Sequence, residues 1–271
     1  MTILFIGDIV GKPGRAAVAK VLPGLRDKYK VDLVIANGEN LAHGRGATPE
    51  TINELIASGV DFMTSGNHWA DQKEMLELAD DKDVPFIRPA NYPPGVPGRG
   101  WQLVPVRTKK VLVINLMGRV FLHGDLDDPF RKLDQILEEN AAAKPDAIIV
   151  DFHAEATSEA VAFGFFADGR VTACLGTHSH VPTDDAWVLP KGTGHVTDVG
   201  MVGPRDSVLG LEKTEIIKHF LTQLPFKTVI PDSPEVCFDY ALVHTDTKRK
   251  GANDVALCSS LTRHTEIVTL G

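Results

Sequence analysis

Acids, amides and imidazoles recur in this sequence directly after apolar runs. Asp8 follows residues 2–6, Glu39-Asn40 follow 31–36, and Asn67-His68 follow 61–64. His153 closes the run begun at Ala147, and His178-Ser179-His180 follow 171–175. If these runs are strands with their carboxyl ends together, where open α/β sheets place their chemistry, the polar groups converge on one pocket. The donor set is nitrogen and oxygen without thiolate. It suits iron, manganese or zinc better than magnesium, which prefers oxygen ligands and retains water. Seven or so ligands exceed what one ion uses. A carboxylate shared between ions roughly 3.5–4 Å apart is the two-metal hydrolase arrangement, and Glu39 is the side chain expected to be shared.

The elements that must position these groups are legible in the periodicity. Residues 2–6 form a strand, followed by a glycine-bearing loop and a helix with Val18, Val21, Leu22 and Leu25 on its inner face. The loop is not a dinucleotide fingerprint, because its spacing is not Gly-x-Gly-x-x-Gly, Pro13 lacks an N–H, and Asp8 would repel a pyrophosphate. A cation reverses that last objection. After Glu39, Thr48-Pro49 signal a helix that buries Ile52, Leu55 and Ile56. A third strand at 61–64 leads to a helix capped by Asp71, with Glu74 closing a capping box and Met75, Leu78 and Ala79 inward. Three strand-loop-helix units in succession predict a parallel sheet with right-handed crossovers.

Further on, 86–88 reads as a short strand and 89–100 as a Pro/Gly-rich loop. Residues 101–107 and 111–116 read as a hairpin over Thr108-Lys109-Lys110, which makes the sheets mixed. Asp128-Pro129 open a helix, 147–151 is a buried strand, a short helix starts at Ser158, and 171–175 is a strand. Strands are expected at 187–189, 195–199, 228–230, 236–243 and near 255–257, interrupted by a helix whose apolar face carries Ile217, Phe220, Leu221 and Leu224. No repeat or linker divides the chain, so 1–271 is expected to be one domain.

Composition narrows the function. A formal net charge of −8, with no run of Lys or Arg, argues against general nucleic-acid binding and favours a small substrate. The three cysteines are widely spaced, with no Cys-x-x-Cys pattern, and suggest neither a disulfide frame nor a structural zinc. The first residues lack a basic region and no stretch approaches membrane-spanning length, so a cytoplasmic protein with no membrane association is expected. Homo-oligomerisation is left open.

Gly7-Asp8, the acid after the second strand, Gly66-Asn67-His68, the lone His153 and Gly176-Thr177-His178-Ser179-His180, in this order, resemble the calcineurin-like metallophosphoesterases. Two departures, no histidine two residues after Asp8 and Glu39-Asn40 in the second motif, resemble the bacterial YmdB-like subfamily. There a Gly-Glu-Asn motif supplies a bridging glutamate and an asparagine in place of the missing histidine. The likeness extends to residues 151–159 and 197–201. It implies an α/β, four-layer α/β/β/α sandwich of two mixed sheets flanked by helices, of the metallo-dependent phosphatase type, and a 2′,3′-cyclic-nucleotide phosphodiesterase activity. It also implies two divalent or mixed-valence transition-metal ions, iron foremost, then manganese or zinc. Asp8, Glu39, Asn40 and His180 would hold the first, and Glu39, Asn67, His153 and His178 the second.

The chemistry expected of such a site follows from general principles. Two cations lower the pKa of a bridging water and neutralise phosphate oxygens as charge builds during in-line attack. His68, unliganded beside Asn67, is expected to protonate the leaving oxygen as general acid. A phosphomonoesterase with the same metals and a regulatory nucleotide-binding protein with incidental turnover are the alternative functions. Around the site, His195 is the remaining histidine expected nearest the pocket rim. Glu155 and Asp198 are potential partners of ligand histidines, Lys12 and Arg45 are potential phosphate contacts, and Trp69 either stacks on a base or packs.

Overall fold

The computed structural model describes residues 1–270. The first half of the chain gives β1 (Thr2–Ile6), β2 (Asp8–Ile9), α1 (Gly11–Tyr29), β3 (Leu33–Asn37), α2 (Pro49–Ala57), β4 (Phe62–Thr64), α3 (Lys73–Leu78), β5 (Trp101–Val106), β6 (Lys109–Met117) and α4 (Pro129–Asn140). The second half gives β7 (Ala147–His153), α5 (Thr157–Ala167), β8 (Ala173–Thr177), β9 (Trp187–Val188), β10 (Gly194–Val196), β11 (Met201–Pro204), α6 (Lys213–Thr222), β12 (Glu235–Lys250) and β13 (Ala256–Thr269).

Two mixed sheets result. One runs β2-β11-β12-β1-β3-β4 with β13 also paired to β12, and the other runs β5-β6-β7-β8-β10-β9. Alternation along the strands fixes the layers, since successive side chains of a strand face opposite ways. Ile3, Phe5, Leu33 and Ile35 meet Val111, Val113, Ile149 and Leu175 between the sheets. Leu4, Ile6 and Val34 pack instead with Val18 and Leu22 of α1 and with Ile52 and Leu55 of α2. Ile148 and Val150 pack with Leu133 and Ile136 of α4 and Phe163 of α5. Helices therefore cover both outer faces, giving the four-layer α/β/β/α architecture. Because β1 and β7 are buried on both faces, they read in sequence as unbroken apolar runs.

β12 organises the first sheet. β13 pairs with it from Glu235 to Lys250, so the opposite edge is shared end to end by β11, opposite Val236–Phe238, and β1, opposite Tyr240–His244. Asp239 stands at the seam, its carbonyl accepting from Gly7 N–H at 3.1 Å and its Oδ2 from Met201 N–H at 3.1 Å. At this seam the chain leaves β1 and crosses to β2.

Several elements differ from expectation. Phe86 makes only a single bridge to Met63, so 86–88 is not a strand. The Arg88 guanidinium there is spent on the carbonyls of Pro89, Val96 and Pro97, which holds the Pro/Gly-rich loop together. The β5–β6 turn is Arg107-Thr108, because Lys109 and Lys110 already pair with Val106 and Pro105. Residues 228–230 form no strand; instead Ile230 lies across Gly11 and Gly44, where an added Cβ would meet its Cδ1 at 2.3 and 3.3 Å. β12 and β13 run much longer than their apolar segments, because the ladder between them continues through charged positions. The apolar face of α6 is solvent-exposed (Ile217 52%, Phe220 69%, Leu221 80%), as is Leu224 just beyond it, and the buried residue is Ile216. No helix among the described residues is long and apolar enough to cross a membrane.

Candidate metal centre

The carboxyl ends of β3, β4, β7 and β8, together with β2, deliver the side chains singled out above to one point. Glu39 is presented by a turn in which its N–H donates to Asn37 Oδ1 at 3.0 Å. Glu39 Oε2 lies 3.2 Å from His153 Nε2. The same ring nitrogen is 2.9 Å from Asn67 Oδ1 and 2.9 Å from His178 Nδ1. On the other side, His180 Nε2 is 3.2 Å from Asn40 Oδ1 and 3.9 Å from Asp8 Oδ1. Ligand-type atoms of Glu39, His153 and His178 all lie within 4.8 Å of one another, as do those of Asp8, Glu39 and His180. Glu39 belongs to both groups.

Proton accounting shows what these atoms lack. Asp151, buried in β7, accepts from Thr177 Oγ1–H at 2.7 Å, from Asn37 Nδ2–H at 3.0 Å and from the Thr64 hydroxyl. The Thr177 hydroxyl thus has no proton left for His153, so His153 Nδ1–H donates to it at 2.9 Å and Nε2 is bare. His178 directs Nε2 at Glu155 Oε2, 3.0 Å away, which leaves its Nδ1 bare. His180 Nδ1 faces the Leu209 carbonyl at 3.0 Å, which leaves its Nε2 bare. Asn40 Nδ2 donates to Gly44 O at 3.0 Å, so its Oδ1 faces inward as an acceptor. The inward nitrogens of His153, His178 and His180 and the inward oxygen of Asn40 are therefore lone pairs, facing one another and the Glu39 and Asp8 carboxyls, and the buried Asp8 Oδ1 has no hydrogen-bond partner at all.

Such crowding of acceptors is unfavourable unless protons or a cation sit among them. The spacing fits a cation: ligand atoms each about 2.0–2.2 Å from an ion stand about 3 Å apart at right angles. Electrostatics point the same way. Burial, then the neighbouring Glu39, raise Asp8 well above the usual carboxylate range, and burial pushes Glu39 up to about 8. Burial also holds His153 well below its ordinary value, lowers His178 and brings His180 down to about 4, keeping all three imidazoles in the neutral, ligating form. Gly66 is required by this packing, since a Cβ there would stand 2.1 Å from Glu39 Oε2 and 2.3 Å from His153 Nε2.

All eight residues expected at the site are thus brought together, seven with side chains in the two clusters and His68 beside them. His68 N–H points to Glu39 Oε2 at 3.4 Å, and its Nδ1 is 2.8 Å from Asp71 Oδ2. Asp71 is therefore not a helix cap; α3 begins two residues later, after Gln72, with no side-chain cap. His195 is not at the rim. It is buried with its ring against α5, where a Cβ on Gly164 would touch its Nδ1 at 2.5 Å. Trp69 packs edge-on against Tyr92 at 5.7 Å and is buried. Lys12 and Arg45 are exposed. The sequence reading missed Asn37, Thr64, Asp151 and Thr177. An acid inside the apolar run of β7 was the one local signal that could have flagged this network.

Comparison with known proteins gives the family and the fold. The profile of the YmdB-like protein family matches residues 4–257. The chain is 51% identical over 233 residues to a 2′,3′-cyclic-nucleotide 2′-phosphodiesterase of Bacillus subtilis, covering 86% of this chain and 87% of that protein. A crystal structure of a hypothetical protein from Thermus thermophilus superposes with a TM-score of 0.89 at 42% identity, covering 98% of this chain and 99% of the other. A novel phosphatase of Mycoplasma pneumoniae superposes with a TM-score of 0.87 at 30% identity, covering 99% and 93%. The chain belongs to the YmdB-like protein family.

Proposed function

We propose that this protein is a metal-dependent phosphodiesterase that opens small cyclic nucleotide phosphoesters, 2′,3′-cyclic nucleotides first among them. The observation that carries the reading is the crowding of Asn67 Oδ1, His178 Nδ1 and Glu39 Oε2 around the bare His153 Nε2 at 2.9–3.2 Å, with Asp8 Oδ1 orphaned nearby. Asp8, Glu39, Asn40 and His180 would hold one cation, and Glu39, Asn67, His153 and His178 the other, iron being the first expectation and manganese or zinc the next. Bound there, two transition-metal ions supply a water of lowered pKa and neutralise phosphate charge.

The protein's own groups do the rest. The relay from Asp151 through Thr177 to His153, the Glu155 contact of His178 and the Leu209 carbonyl on His180 each hold one imidazole in the tautomer whose free nitrogen faces the centre. Asp71 accepts from His68 Nδ1–H, which orients the ring and leaves Nε2 to carry a proton to the departing ester oxygen. In a 2′,3′-cyclic substrate that oxygen stays tethered to the ribose. Opening the 2′ ester adds hydroxyl to phosphorus and a proton to the 2′ oxygen, leaving a 3′-monophosphate.

The test is metal analysis of the purified protein together with rates on 2′,3′-cyclic AMP and p-nitrophenyl phosphate. About two transition-metal ions per chain and a strong preference for the cyclic diester are expected. A metal-free active enzyme, or faster turnover of the monoester, would overturn the reading.

A further inference from the structure

Four residues, Thr197 to Gly200, carry the chain from β10 in one sheet to β11 in the other. They touch both halves of the centre described above. Toward one sheet, Val199 N–H donates to Gly176 O at 2.9 Å, and the approach is so close that a Cβ on Gly176 would stand 1.7 Å from Thr197 O. Toward the other, Gly200 O accepts from Asp8 N–H at 3.0 Å.

Asp198 sits in the middle of this link and is 2% exposed. Its Oδ2 accepts from both the N–H and the hydroxyl of Ser179 at 2.9 Å, and its Oδ1 accepts from Gly200 N–H at 2.7 Å. Ser179 lies between the two histidines, and both of these have left-handed backbones, with φ of 108° at His178 and 63° at His180. L-residues disfavour that region, and surrounding structure has to impose it. In an extended segment the two rings would share a face and reach one point. With this backbone, His178 reaches the Glu39/His153 cluster and His180 reaches the Asp8/Glu39 cluster.

We propose that Asp198 is a positioning residue of the centre: its grip on Ser179 holds His178 and His180 in the conformations that send one ring to each ligand cluster, and its bond to Gly200 ties that loop to Asp8. The inference rests on the metal-centre reading. Asp185 provides the contrast. It accepts from Thr183 Oγ1–H at 2.6 Å and from Thr197 N–H at 3.1 Å, so it holds the same link, but its hydrogen bonds include none to residues 178–180.

The test uses the full-length, chelator-stripped protein titrated with Mn²⁺, followed by calorimetry and by the electron paramagnetic resonance of the bound ion. Thermal melts in chelator report folding separately. Asp198→Asn is expected to fold and to bind Mn²⁺ about 10–100-fold more weakly, the range for groups that orient metal ligands. Asp185→Asn is expected to lower the melting temperature while Mn²⁺ affinity stays within about threefold, well short of that range. Unchanged affinity in Asp198→Asn, or equal weakening in both variants, would overturn the proposal. Should Asp198→Asn fail to fold, Asp198→Glu keeps the carboxylate and displaces it by one methylene, and the same two outcomes decide. If the wild type binds no Mn²⁺, it is the metal-centre reading that fails. A crystal structure of the metal-free variant then judges the positioning role alone: a displaced 178–180 loop supports it and an unmoved one overturns it.

Discussion

His68 Nδ1 lies 2.8 Å from Asp71 Oδ2, although the two residues sit in a turn whose sequence looks like the start of a helix. The pair makes a sharp kinetic prediction. Removing a general acid costs about 10²–10⁴ in rate when the leaving group is a poor one, as a ribose oxygen is. His68→Ala should therefore lose about that factor on 2′,3′-cyclic AMP but far less on bis-p-nitrophenyl phosphate, whose leaving group departs without a proton. Asp71→Asn should follow the same pattern with a smaller loss. Steady-state rates on both substrates check this, and an equal loss on both would remove the acid role.

Asp151 contributes no atom to the centre, yet its replacement should be felt there. Asp151→Asn sets amide hydrogens against the donors of Thr64, Asn37 or Thr177 and frees Thr177 to donate to His153, so the ring takes the wrong tautomer. Denaturant melts of metal-free protein should show a loss of about 1.5–3 kcal/mol. Metal affinity should fall about 10–100-fold.

Gly66→Ala inserts a methyl group into the space between Glu39 Oε2 and His153 Nε2. Metal analysis should show loss of the ion held by Glu39, Asn67, His153 and His178 in the proposed assignment. Activity should vanish with it, while circular dichroism stays native.

The raised carboxyls give a pH dependence of definite sign. Burial holds Glu39 at about 8 and, with Glu39, raises Asp8, whereas unfolded carboxyls titrate near 4. Between those values the two carboxyls bind more protons in the metal-free folded state than in the unfolded one, while the lowered His153, His178 and His180 bind fewer below about 6.5, where unfolded imidazoles charge; above that the carboxyl effect is unopposed by them, and stability falls as pH rises toward 8. Cation binding must expel the same protons below pH 8. Thermal melts in chelator across pH 5–9, and calorimetry in buffers of different ionisation enthalpy, measure the two effects.

Much of the fold was legible because the signals are local. β1, β3 and β7 stand out as unbroken apolar runs, and the caps of α2 and α4 are spelled out by Thr48-Pro49 and Asp128-Pro129. The ligand residues were legible because each directly follows such a strand. What was hidden is non-local. Asn37 reaches Asp151 across 114 positions, and nothing near either residue announces the other. Asp71 carries the spacing of a capping box, but the chain stays in a turn until Gln72, and the carboxylate is claimed by His68. The α6 pattern marks an apolar face without saying what covers it.

The seam on β12 has a geometric corollary. The strand lends no side chain to the proposed centre, yet it works as its ruler. Asp8 takes its position through β2 and β11 from one stretch of that edge, and Glu39 takes its position through β3 and β1 from the next. Strands advance about 3.3–3.4 Å per residue, so a two-residue insertion at Asp239 would draw the two carboxylates apart by about 7 Å. Every ligand would remain in the chain, and no pair of ions would be spanned.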